Sequence, residues 1–186
     1  KFIKSIILTL ALFTFSLIAS AVYAAPLKVV TTLTDYAWLT KMVGGDHVEV
    51  KAIVEGNQDA HFIRPKPSFV ELLRNADMLV ATGLDLEMWL PSAVDKSGNR
   101  KIRSGEIGYV SAATGMNLKD KPVALSHIEG GLHLYGNPHV TVSALNIIQA
   151  VDNIRIGLAR NLPGQAAIFR ENADALVADI CRALYG

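Results

Sequence analysis

The segment Met78–Thr82 constrains the fold most, because it is apolar on both faces of an extended strand. A strand that is apolar on both faces is typical of the interior of a parallel sheet covered by helices on both sides. Three other segments are predicted as the first, second and fourth strands; they are Leu27–Thr32, Val48–Val54 and Tyr109–Ala112.

Segments with helical spacing of apolar residues alternate with these strands. The longest cover Ala144–Leu162 and Gln165–Leu184. Thr34 or Asp35 is expected to cap the first helix, and Ser68-Phe69-Val70-Glu71 fits a capping box for the second. Alternating strands and helices predict an α/β fold, a parallel sheet with helices on both faces, which binds ligands at the carboxyl ends of its strands.

The N-terminus has the pattern of a secretory signal peptide over residues 1–24. Lys1 and Lys4 precede an apolar run over 6–18, and Val22-Tyr23-Ala24 fits a cleavage signal. No cysteine stands at the predicted cleavage point, so a lipid anchor is not indicated, and we expect no stable membrane insertion after cleavage. Cleavage would remove two of the 18 basic residues and none of the 17 acidic ones, which leaves a net charge of −1. This charge argues against a nucleic-acid partner.

Two short histidine loops are the candidate binding elements. His61 lies after the second strand, ahead of two prolines and a helix start, and His139 lies in a second loop, Gly136-Asn137-Pro138-His139. Neutral imidazole is the commonest metal-binding side chain. Because His61 follows a strand, it should lie at the carboxyl edge of the sheet, and we interpret the two loops as half of a metal site.

Other residues near these loops are expected to have plainer roles. Trp38, Trp89 and Phe62 are expected to pack rather than to contact a ligand. His133 could supply a third nitrogen or belong to a solvated loop, and His127 is interpreted as a loop residue.

Several motifs together resemble the zinc/manganese solute-binding proteins of ABC importers. Residues 59–68 resemble the Asp-Pro-His…Pro-x-Pro-Ser signature of that family, although Ala60 stands where the family has proline. Residues 75–80 and 83–90 resemble the segments that follow it, and residues 136–140 resemble the second histidine motif. The similarity covers essentially all of the chain after residue 24.

The resemblance implies a two-lobed periplasmic protein that carries a metal between its lobes to a membrane permease. The family's first two metal ligands correspond to His61 and His139, and the other two come from a second lobe. We therefore expect residues 25–163 to form the N-terminal lobe and residues 164–186 the helix that joins the lobes, in a truncated chain that lacks the C-terminal lobe. The expected cargo is a divalent metal ion, zinc first, with manganese possible.

Two protein nitrogens are too few for a closed site, so binding by this part alone should be weak, and protonation of either histidine should release the metal below about pH 6. A secreted zinc hydrolase is one alternative, but the sequence contains no His-Glu-x-x-His pairing. A carrier for an organic solute, such as chelated iron or a vitamin, is another, although its cleft would need an aromatic or arginine lining.

Overall fold

A parallel four-stranded sheet forms the centre of the protein. In a computed structural model, which describes residues 25–119 and 136–186, the strands lie in the order β2-β1-β3-β4 and every neighbouring pair is parallel. This confirms the predicted fold class, with β3 in the interior of the sheet. The strands are β1 (Leu27–Thr31), β2 (Val48–Ala52), β3 (Met78–Ala81) and β4 (Tyr109–Ser111).

Helices cover both faces of this sheet. Three of them pack in one hydrophobic cluster with Val29, Met78 and Val110, and two pack on the opposite face against Val30 and Leu79. The first group is α1 (Thr34–Gly44), α4 (Ala144–Asn161) and α5 (Ala166–Tyr185), and the second is α2 (Pro67–Arg74) and α3 (Leu90–Ser97).

The apolar pattern of β3 follows from this three-layer arrangement. Met78 and Val80 belong to the cluster on one face, whereas Leu79 and Ala81 belong to the cluster on the other. None of the four side chains is more than 1% exposed. Both faces of the strand are therefore removed from water, which is the main favourable contribution to folding.

The starts of α1 and α2 differ from the prediction. The helix α2 begins at Pro67, one residue before the expected capping box, and no side-chain hydrogen bond caps it. Proline is well suited to the first turn because its ring fixes φ and it has no N–H to leave unsatisfied. Neither Thr34 nor Asp35 caps α1, whose N-cap residue is Leu33.

Two aromatic residues expected to pack are exposed instead. Trp38 is 55% and Phe62 is 82% exposed, whereas Trp89 is 9% exposed, as expected of a packing residue. In α1 the buried face is centred on Tyr36, Leu39, Thr40 and Val43. The tyrosine lies on this side of the helix and turns Trp38 towards solvent.

The direction of α4 places its N-terminus at the carboxyl edge of the sheet. Near the end of α4, the Arg160 side chain donates hydrogen bonds to the carbonyls of Ile107 (3.0 Å) and Tyr109 (2.8 Å), where β4 begins. Earlier in α4, Asn153 Nδ2 donates to the carbonyl of Ala112, beyond the end of β4, at 2.8 Å. The helix thus runs antiparallel to β4, and the segment that precedes α4 lies beyond the strand ends.

The helix α5 packs on the same layer through its first half. Phe169, Ala173 and Leu176 are at most 5% exposed, and Asn172 Nδ2 donates to the Val43 carbonyl at 3.0 Å. The predicted lobe and joining-helix boundaries stay predictions, and the predicted signal peptide lies outside the described residues. Across residues 25–119 and 136–186, no helix has the length and apolar character needed to cross a membrane.

Candidate metal centre

The loop that carries His61 is shaped by an aspartate two residues earlier. Asp59 Oδ1 accepts a hydrogen bond from the His61 backbone N–H at 2.9 Å, and a single 3₁₀ turn follows over Ala60–Phe62. Aspartate favours such a turn because its short carboxylate can reach a backbone N–H two residues on. The turn follows β2 and presents His61 at the carboxyl edge of the sheet.

The loop that carries His139 has the same type of side-chain hydrogen bond, although His139 precedes its 3₁₀ turn whereas His61 lies inside its own. Asn137 Oδ1 accepts a hydrogen bond from the His139 backbone N–H at 3.0 Å, and a 3₁₀ turn follows over Val140–Val142. The helix α4 begins two residues later. The backbone N–H of each candidate histidine is therefore hydrogen-bonded to the side chain of an Asp or Asn two residues earlier.

The two loops bring the imidazole rings next to each other. The ring centroids of His61 and His139 are 5.3 Å apart, and the ring planes make an angle of 54°. With metal–nitrogen bonds of about 2.0–2.1 Å and tetrahedral angles, two imidazoles on one zinc ion have centroids about 5 Å apart. The observed separation is therefore close to the one that a shared tetrahedral cation requires.

Asp59 also determines which nitrogen of His61 carries the hydrogen. Its Oδ1 lies 2.7 Å from His61 Nδ1. The hydrogen bonds from the His61 backbone and then from its side chain lower the pKa of Asp59 below its ordinary value of 3.8. An ionised carboxylate can only accept a hydrogen bond, so Nδ1 is the donor, and in the neutral ring Nε2 is the nitrogen that can bind a metal. A carboxylate in this position orients a metal-binding histidine and raises its basicity.

Sequence reasoning identified the two histidines but gave no role to the residues that shape their loops. The signal was present, because Asp59 and Asn137 each stand two positions before a candidate ligand. His127 and His133 lie outside the described residues. Within residues 25–119 and 136–186, no group of three or more His, Cys, Asp or Glu residues is placed to hold a metal. His61 and His139 are accordingly a pair that can supply two ligands.

A family profile matches almost all of the described chain. The family described as "Zinc-uptake complex component A periplasmic" matches residues 29–183. The match includes both histidine loops and most of α5, so it covers the sheet, its helices and the candidate centre.

Curated relatives of this chain include proteins named for different metals. The zinc-binding lipoprotein AdcA of Streptococcus pneumoniae is 27% identical over 155 residues, which cover 81% of this chain and 30% of that protein. The manganese-binding lipoprotein MntA of Bacillus subtilis is 27% identical over 154 residues, which cover 83% of this chain and 46% of that protein. The chain thus spans less than half the length of these two relatives.

Similarity in three dimensions agrees with the sequence matches. The crystal structure of Zn(II)-bound AdcA from Streptococcus pneumoniae has a TM-score of 0.67 and 27% identity to this chain, and covers 84% of this chain and 31% of AdcA. The parallel sheet, the two histidine loops and the profile match over residues 29–183 lead to one assignment: the chain belongs to the family of periplasmic component A of the zinc-uptake complex.

Proposed function

We propose that this chain captures a divalent transition metal outside the cytoplasm and delivers it to the permease of an ABC importer. His61 and His139 are the two ligands that it supplies. The observation that carries the proposal is the 5.3 Å separation of the two imidazole centroids, which suits a single cation bound by both rings.

Zinc is the proposed first choice of cargo, with manganese as the second. Two neutral imidazoles form a nitrogen-rich donor pair, which suits zinc, whereas manganese is better matched by carboxylate and carbonyl oxygens. The relatives named above bind zinc in one case and manganese in the other, so the proposed order depends on the donor atoms of this chain.

The proposed activity is reversible binding rather than catalysis. Two protein nitrogens leave two positions of a zinc tetrahedron to water or to further ligands, so the metal bound by these two residues alone is held weakly. A second lobe that supplies the remaining ligands, with residues 25–163 as the first lobe and 164–186 as the joining helix, is part of the proposal.

The test is a zinc titration by calorimetry on chelator-treated protein, with His61→Ala and His139→Ala as variants. Each substitution should abolish the titration or weaken it by at least tenfold. His47→Ala is the matched control, because His47 directly precedes β2 and so lies at the opposite edge of the sheet, with its ring 6.0 Å from that of Phe169. Wild-type affinity in either loop variant would refute the proposed site.

A further inference from the structure

We propose that Trp89 is a positioning residue for the metal site, which holds the His61 loop in the conformation that faces His139. This inference rests on the proposed function of His61. It adds a residue that does not touch the metal, and that lies 28 positions further along the chain than the histidine it positions.

The contact between Trp89 and the loop is a single well-placed hydrogen bond. Trp89 Nε1–H donates to the carbonyl of Ala60 at 2.9 Å, and Ala60 immediately precedes His61. The indole itself is well held, since it is 9% exposed and its ring lies 6.5 Å from that of Phe69. A rigid donor therefore fixes the backbone beside the proposed ligand.

The segment that carries Trp89 is anchored in turn by a buried carboxylate. Glu87 is 4% exposed, and its Oε1 accepts hydrogen bonds from Thr32 Oγ1 (2.6 Å) and from the backbone N–H of Thr82 (3.0 Å). These two threonines directly follow β1 and β3. These two hydrogen bonds tie the segment around Trp89 to the ends of two sheet strands.

The His61 loop needs such a tether because its own packing rests on Ala60 and Ile63, which are only half-buried against the cluster that contains Trp89. No residue between 55 and 70 is buried. A segment without buried side chains opens locally at low free-energy cost. When only a fraction of molecules has the binding conformation, the apparent affinity falls by that fraction. The indole hydrogen bond should raise this fraction without any contact to the metal.

The test replaces the donor and keeps the aromatic ring. Trp89→Phe retains a ring next to Phe69 but leaves the Ala60 carbonyl without its partner, and we expect zinc affinity to fall about threefold to tenfold. Amide hydrogen exchange at residues 60–62 of the metal-free variant should accelerate, while exchange in β3 should not change. Trp38→Phe is the matched control, because Trp38 is 55% exposed on α1, and it should leave both measurements unchanged.

The outcomes separate this inference from the proposed function. If Trp89→Phe binds zinc as tightly as Trp38→Phe while His61→Ala loses binding, the positioning role is refuted and the site stands. If His61→Ala retains wild-type affinity, the site and the positioning role both fail.

A second measurement does not depend on the folding of Trp89→Phe. The chain contains two tryptophans, so Trp38→Phe leaves Trp89 with the sole indole N–H resonance. Zinc should shift that resonance, because its acceptor adjoins His61. The absence of a shift at saturating zinc would refute the inference.

Discussion

Removal of the Asp59 carboxylate should weaken metal binding although Asp59 is not proposed as a ligand. Asp59 makes two contacts with His61, one to the backbone N–H at 2.9 Å and one to Nδ1 at 2.7 Å. Asp59→Ala removes both, so the turn loosens and the Nδ1 hydrogen has no fixed acceptor. Loss of a carboxylate that orients a metal-binding histidine costs about 10- to 100-fold in affinity. Because the Asp59 side chain is 57% exposed, water can replace part of its effect, and we expect about tenfold, at the lower end of that range.

The chain itself supplies the companion substitution. Asn137 forms the same turn before His139, so Asp59→Asn should keep the backbone conformation of the His61 loop and remove the negative charge. We expect Asp59→Asn to weaken zinc binding less than Asp59→Ala does. The difference between the two variants then measures the contribution of the two hydrogen bonds to His61, and the difference between Asp59→Asn and wild type measures that of the charge.

The assay is competition of each variant with a chromophoric zinc chelator at neutral pH. Asp46→Ala is a control for the loss of an acidic residue, since Asp46 lies just before β2 and its side chain is 97% exposed. If Asp59→Ala binds zinc within about twofold of wild type while His61→Ala loses binding, the argument that this carboxylate orients the ligand fails.

Three further predictions concern stability. Gly157→Ala should lower the free energy of unfolding by a net amount of up to about 2 kcal/mol, because overlap of its Cβ with the buried Val110 side chain costs about 1–3 kcal/mol and the helix propensity of alanine returns about 1 kcal/mol. Gly164→Ala, which meets nothing within 4 Å, is the control, and a higher urea midpoint for Gly157→Ala than for Gly164→Ala would contradict the packing. Burial raises the pKa of Tyr36 above its ordinary value of 10.0. The tyrosine therefore ionises at lower pH in the unfolded state than in the folded state, and the free energy of unfolding should fall as pH rises above about 10. Urea unfolding at about pH 9 and about pH 11 should show this loss in the wild-type protein and a smaller loss in Tyr36→Phe. Zinc should raise the melting temperature of chelator-treated protein, and EDTA should reverse the rise; an equal rise in His61→Ala would contradict binding at that residue.

Local sequence patterns predicted the central strand and the edge of the sheet that carries the histidines. The burial of β3 on both faces follows from a run that is apolar on both faces, which needs no tertiary information. The proximity of His61 and His139 could not be predicted from local patterns, because the two residues are 78 positions apart. It was predicted from the topology of parallel sheets together with the family resemblance.

The parts that were missed depend on competition between signals or on long-range contacts. At the start of α2, Pro67 and the Ser68 capping box are both good helix starts one residue apart, and local sequence does not rank them. On α1, Tyr36 and Trp38 are both large aromatics, and the buried hydrogen bond of 3.1 Å between Tyr36 and Thr82 distinguishes them. The bond from Trp89 to Ala60 joins two loops, and no periodic pattern encodes it.

The antiparallel course of α4 along β4 makes the length of that helix matter more than its composition. Arg160 and Asn153 fix the helix to the two ends of β4. The number of residues in the first half of the helix therefore determines how far above the sheet edge the His139 loop lies and in which direction it leaves the helix. One residue inserted or deleted between 144 and 153 would turn the His139 loop by about 100° and move it by about 1.5 Å. Substitutions on the outer surface of this half should be tolerated, whereas a single-residue change in its length should separate the two imidazoles.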